Sequence, residues 1–173
     1  MSKTILQFML IFIVMVLLQV SIFNHICLYN IAIPFVFIYF IIRLPITLST
    51  NWVLTFSFFL GLAVDIFSDT QGMHSLSCTI LAMLRRRLLR LYVPRDEDIS
   101  NPEPSIRSLG LSIYLKYLIT VVLTYCLTVF TIEACTFFNI LQLITRILGS
   151  STLTILFILG LDSLTIQRRE KRL

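Results

Sequence analysis

Charge is the scarcest property of this 173-residue chain, with Asp, Glu, Lys and Arg together making up 13% of it. A soluble domain usually carries about 25%. So little charge cannot cover a water-facing surface. The 57% of hydrophobic residues also lie in blocks near the length that crosses a bilayer core, roughly 20 residues for a helix. An ordinary soluble globule is excluded. The expectation is an all-α, polytopic transmembrane helical bundle in one integral membrane domain, residues 1–173.

Other shortages exclude chemistry. Cys27, Cys78, Cys126 and Cys135 lie in or beside apolar segments without CxxC or Cys/His spacing, so neither a metal site nor a disulfide framework is expected. Buried thiols of this kind behave as small apolar residues. His25 and His74 fall at the predicted outer surface, each without a second ligand at metal spacing, and read as interfacial polar residues. Ser75 and Ser77 have no histidine and acid arranged around them, which leaves nucleophilic catalysis unsupported. The absence of a glycine-rich phosphate loop removes a nucleotide-driven pump. No enzyme activity and no cofactor are expected.

What the chain does have is a succession of apolar segments. The first, about Ile5 to Phe23, follows Lys3 and has the basic start of a signal peptide. It is too long for one and lacks a small-residue cleavage site, so it reads as a retained first helix. The second runs from about Ile26 to Ile42 and contains Pro34, which either kinks it or marks its true start by removing a backbone donor. The third runs from Asn51 to Phe67. A fourth opens at Gly72 with GMHSLSCTILAML, too short to span unless the helix continues through RRRLLRLY with its arginines snorkelling to the interface.

A polar loop, VPRDEDISNPEPSIR, comes next, within a predicted cytoplasmic stretch of about 85–108. The fifth segment covers about Leu109 to Ile132 and contains Lys116. The sixth covers about Ile147 to Ile166, contains Asp162 and leads into the basic tail, about 167–173. Between them ACTFFNILQLITR is amphipathic enough to lie on the membrane surface.

Basic residues accumulate beside cytoplasmic loops. Six spans with both termini inside place Lys3, Arg43, Arg85, Arg86, Arg87, Arg90, Arg95, Arg107 and the tail cations on that side, and only Arg146 outside. Five spans is the alternative. The net charge of +5 is thereby explained by anionic lipid and membrane orientation, with no nucleic acid required. Arg85, Arg86, Arg87 and Arg90 are the expected cytoplasmic basic surface, which also suits an acidic partner protein.

One acidic motif stands out. GLAVDIFSDTQG places Gly61, Asp65 and Asp69 at i, i+4 and i+8, on one helix face if the helix continues past Phe67. Glycine admits a close neighbour, and an intramembrane carboxylate asks for a partner. Gly61, Asp65, Asp69 and Gly72 are therefore the candidate partner-binding or polar intramembrane face. The third segment rises from the inside, which puts Asp65 about 21 Å up, whereas Asp162 lies only a few ångströms above the inner face. A shared-proton dyad needs adjacent carboxylates, so an aspartyl-protease pair is excluded. Asp162 is expected to pair with the basic tail or Lys116.

Pro34, the Leu44–Pro45 pair, GLAVDIFSD and the following Gly72, over roughly residues 31 to 90, resemble MreD, the family of bacterial rod shape-determining membrane proteins. The resemblance implies a non-enzymatic inner-membrane subunit of the elongation machinery, with a fold like the substrate-binding subunits of energy-coupling-factor vitamin transporters. It implies binding to the bitopic protein MreC, and work alongside MreB, RodA and its penicillin-binding transpeptidase in peptidoglycan synthesis. It would place Gly61, Asp65 and Gly72 in the family motif, and Pro34 and Pro45 at a helix kink or boundary. The alternative is a vitamin-binding transport subunit. Such subunits usually carry alanines at i, i+4 on the first helix for docking; the first segment here has none, and the chain offers only Ala32, Ala63, Ala82 and Ala134.

Overall fold

The computed structural model describes residues 2–23, 32–93, 104, 106–134 and 140–170. His25, Cys27, Arg95, most of the polar loop, Cys135 and the last three residues lie outside them. The described chain is all-helical, in the order α1 (Ser2–Ser21), α2 (Ile38–Arg43), α3 (Thr50–Ser68), α4 (Met73–Tyr92), α5 (Ile106–Leu109), α6 (Leu111–Ala134) and α7 (Ile140–Glu170).

Three of these are long and apolar enough to cross a membrane: Thr50–Ser68, Leu111–Ala134 and the Ile140–Leu164 part of α7. Large apolar side chains face outward along the bundle, among them Leu10 and Leu17 on α1, Phe59 and Phe67 on α3, and Leu156 and Leu164 on α7. Exposed apolar side chains on helices of this length and composition belong in lipid. The protein is a membrane protein built as a helical bundle.

Helix α6 forms its axis. Tyr114, Tyr117, Leu118, Val121, Val122 and Tyr125 are all buried, and their 3-1-3-1-3 spacing keeps them on one helical face. Helix α4 packs between α6 and α3, α7 packs on α6, and α1 lies against α3 and α2. Where the sixth segment was expected to begin near Ile147, α7 begins at Ile140. The amphipathic ILQLITR run thus continues the spanning helix, with Arg146 bonded to Glu133 of α6 at 2.7 Å instead of lying on the surface.

In the second segment Pro34 lies ahead of the helix and not within it, the second of the two expected outcomes. Helix α2 covers only Ile38–Arg43, and residues 32–37 are irregular yet buried, Ile33 only partly. Pro34 lacks an N–H and disfavours helical geometry at Ile33, so the chain enters α2 through short turns, Tyr39 N–H to the Val36 carbonyl at 3.0 Å and Phe40 N–H to Phe37 at 3.1 Å. Non-helical backbone is tolerated inside a bundle only if its polar groups are satisfied by protein. Here side chains do it. Gln19 of α1 donates from Nε2 to the Pro34 carbonyl at 3.0 Å and accepts the Val36 N–H on Oε1 at 3.0 Å. Ser150 and Thr154 of α7 accept the N–H groups of Ile33 at 3.1 Å and Phe35 at 2.9 Å.

Candidate functional site

Helix α3 ends at Ser68, and Asp69 adopts the left-handed region at φ 54°, ψ 39°. The Thr70 N–H then reaches back to the Asp65 carbonyl at 3.1 Å, a six-to-one bond that closes the helix. Gly72, also left-handed at φ 75°, turns the chain into α4, where a Cβ would be strained. The hairpin is tight because Gly61 has no side chain. A Cβ there would lie 2.6 Å from the His74 carbonyl oxygen and 2.6 Å from the Ser75 nitrogen, and would overlap the Ser75 Cα.

This close approach delivers Asp65 to the first turn of α4. Its Oδ1 accepts from the Thr70 hydroxyl at 2.5 Å and the His74 N–H at 3.0 Å; its Oδ2 accepts from the Ser75 N–H at 2.8 Å and from the Ser75 hydroxyl. A helix starts with four amides that lack intrahelical partners, and a carboxylate facing them gains both hydrogen bonds and the positive end of the helix dipole. Asp65 is thus an N-cap supplied from the neighbouring helix. A carboxylate offers about four lone-pair directions, and Asp65, 3% exposed, uses four.

The other members of the candidate face are placed differently. Asp69 is exposed in the turn and does not join Asp65. His74, expected at an outer surface, is buried: its Nδ1 lies 2.7 Å from the Tyr125 hydroxyl, and its ring packs against Phe35 and Phe37 with centroids 5.5 and 5.9 Å away. Its backbone N–H also binds Asp65, which places the residue in the first turn of α4 on the side that faces α6.

The expected basic surface also divides. Arg85 is 4% exposed and donates to the Ile42 carbonyl at 3.4 Å and to the Leu44 carbonyl. Half-buried Arg86 donates to the Ile46 carbonyl at 3.4 Å and the Leu48 carbonyl at 2.5 Å. These carbonyls end α2 and form the turn after it, where Pro45 prevents the helix from continuing. A helix C-terminus leaves carbonyls without donors, and a guanidinium fork can serve several at once. Arg87 and Arg90 remain exposed.

Asp162 of α7 is buried and accepts from the Tyr39 hydroxyl at 2.9 Å on Oδ1 and from the Tyr114 hydroxyl on Oδ2. These tyrosines, in place of Lys116, which is exposed, are its described partners. Arg43 stacks over the Tyr39 ring, 5.4 Å from its centroid. Because His74 meets Tyr125 while Asp162 meets Tyr114, the two acidic clusters stand eleven residues apart along α6, about 16 Å.

Sequence reasoning missed Gln19, Ser150 and Thr154, and the roles of Tyr39, Tyr114 and Tyr125. A lone amide inside the first apolar segment was the available signal for Gln19. Tyr114 and Tyr125 were signalled by their eleven-residue spacing, three turns of one helix. No group of three or more His, Cys, Asp and Glu placed to hold a metal occurs among the described residues. Comparison with protein-family models, curated proteins and solved structures finds no match to the chain.

Proposed function

We propose that the protein is a non-catalytic, MreD-like subunit of the bacterial cell-wall elongation machinery. It sits in the cytoplasmic membrane, holds the bitopic protein MreC, and through it works with MreB, RodA and its penicillin-binding transpeptidase to support rod shape and peptidoglycan synthesis. The observation that carries this reading is the full occupancy of Asp65. Its four acceptor positions are taken by Thr70, His74 and Ser75, so the motif that resembles the family's fixes a hairpin and leaves no lone pair for acid or base work. The partner is then bound by helix faces whose geometry that hairpin sets, and it stabilises one arrangement by differential binding.

The distribution of charge supports a six-span topology with both termini cytoplasmic. Arg85, Arg86, Arg87 and Arg90 lie along the C-terminal half of α4, and the exposed Trp52, stacked on Phe56, stands near the start of the antiparallel neighbour α3. Cations and amphipathic aromatics gather at a cytoplasmic interface. Against a transport subunit stands the irregular stretch 32–37. Transporters use broken helices to present free backbone groups to a substrate, whereas the amides of Ile33, Phe35 and Val36 and the Pro34 carbonyl are bonded to Gln19, Ser150 and Thr154.

Purification of the full chain in mild detergent, with identification of what accompanies it, tests the reading. Recovery of an MreC-like protein is expected. Recovery of an ATPase-driven transport module without one overturns it.

A further inference from the structure

Helix α4 presents a problem of placement. At 20 residues it is long enough to cross a bilayer, yet Arg85, Arg86, Arg87 and Arg90 leave it outside the three helices apolar enough to do so. It is nevertheless packed between α3 and α6, with Cys78, Leu81, Arg85 and Leu89 buried.

Two sets of contacts from other segments hold it there. At its start Asp65 of α3 accepts the N–H groups of His74 and Ser75. Farther along, Arg85 and Arg86 bind the carbonyls of Ile42, Leu44, Ile46 and Leu48. The needs are reciprocal. A short helix stopped before Pro45 lacks donors for its last carbonyls, which hydrocarbon would leave unsatisfied. An arginine-bearing helix lacks a partner for its charge. Each supplies the other.

We propose that α4 is a conditional span, kept across the membrane by its contacts with α2 and α3 in place of its own hydropathy, and that it leaves the membrane when Arg85 and Arg86 lose their carbonyl partners. The inference rests on the topology proposed above. It makes a prediction opposite to hydropathy. Replacing arginine by leucine makes α4 more apolar and should favour insertion on a transfer scale, but at Arg85 and Arg86 it removes the contacts.

The test uses two single-cysteine reporters in the full chain, with Cys27, Cys78, Cys126 and Cys135 first replaced by alanine. Gln71→Cys sits on the exposed α3–α4 turn, and Leu91→Cys is at a position 71% exposed near the other end of α4. Each is labelled with a membrane-impermeant maleimide from one side at a time. In the parent the two report opposite sides. With Arg85→Leu and Arg86→Leu combined, Leu91→Cys should become labelled severalfold more from the side of Gln71→Cys. The pair Arg87→Leu and Arg90→Leu, which raises hydropathy and removes cationic charge equally but touches exposed residues, should label as the parent does. If the first pair fails to accumulate in cells, labelling of chains made in a cell-free system with membrane vesicles gives the same readout before degradation.

Unchanged labelling in the Arg85/Arg86 pair, or an equal change in both pairs, overturns the inference alone. Same-side labelling of the two reporters in the parent overturns the six-span topology and the inference together.

Discussion

Two glycine–aspartate pairs lie in this chain, Gly61 with Asp65 on α3 and Gly160 with Asp162 on α7, and their surroundings are opposite. Gly61 is pressed against the backbone of α4, whereas a Cβ on Gly160 would meet nothing within 4 Å. Asp65 receives four hydrogen bonds, two from the amides that open a helix; Asp162 receives one from each of two tyrosine hydroxyls. Both aspartates are 3% exposed, so burial does not separate them. What separates them is whether the backbone of another helix is involved. One pair makes a joint between two helices, and the other fastens side chains to each other.

The comparison breaks first at Gly61. Its would-be neighbours are backbone atoms of α4, which cannot swing aside as a side chain can. Gly61→Ala must therefore part the two helices or distort them, a cost of about 3 kcal/mol for overpacking, with the Asp65 bonds weakened in addition. The unfolding free energy in mixed detergent micelles should fall by that amount, and the denaturant midpoint with it in proportion to 1/m. Little change there would mean that α3 and α4 are not in contact at this turn.

Asp65→Ala comes next. It leaves the His74 and Ser75 amides without their acceptor at a buried helix start, which costs about 2 kcal/mol as a lost cap and unpaired donors. Asp65→Asn retains one carbonyl acceptor and should fall between Asp65→Ala and the parent. Amide hydrogen exchange separates this from a general loss of stability, because protection should drop first at His74 and Ser75. If Asp65→Ala leaves both exchange and unfolding unchanged, the cap is not what holds the hairpin.

How much of this was legible beforehand varies with the range of the forces involved. Helices α3 and α6 follow from apolar length alone, and α4 continues through its arginines as its uninterrupted helix formers suggest. The i, i+4 spacing of Gly61 and Asp65 marks one face and a close neighbour, but not that the neighbour is the next helix of the same chain. Segment 2 was expected to run from about Ile26 to Ile42 with Pro34 either kinking the helix or marking its true start, and in the described part the helix begins only after Pro34, at Ile38. Its unwinding at Pro34 depends on Gln19, 15 residues away, and on Ser150 and Thr154, 117 and 119 residues beyond the amides they accept, and a local pattern holds no trace of those partners. Arg85 misled for a related reason: a run of arginines advertises charge, whereas its direction was decided by carbonyls left over at Pro45.

The second pair is expected to yield less. Asp162→Asn keeps an acceptor for one tyrosine and should cost about 1 kcal/mol, the net worth of a typical hydrogen bond. Tyr39→Phe should cost a similar amount, and the double variant should show less than the sum, since both changes remove the same contact. Unfolding midpoints of the two single variants and the double give that cycle. Strict additivity would mean that Tyr39 and Asp162 do not act on each other.

Gly160→Ala carries the smallest effect and the sharpest contrast. The same substitution that should disrupt α3 at Gly61 meets open space on α7, and Gly160 is exposed in the middle of a continuous helix. Alanine there restricts the unfolded backbone and favours the helix, so stability should hold or rise by up to about 1 kcal/mol. The unfolding midpoint in detergent tests this directly. A fall comparable to that of Gly61→Ala would mean that Gly160 also faces a close backbone, in a second molecule or a partner helix packed on α7, and the two pairs would then be alike in the assembled state.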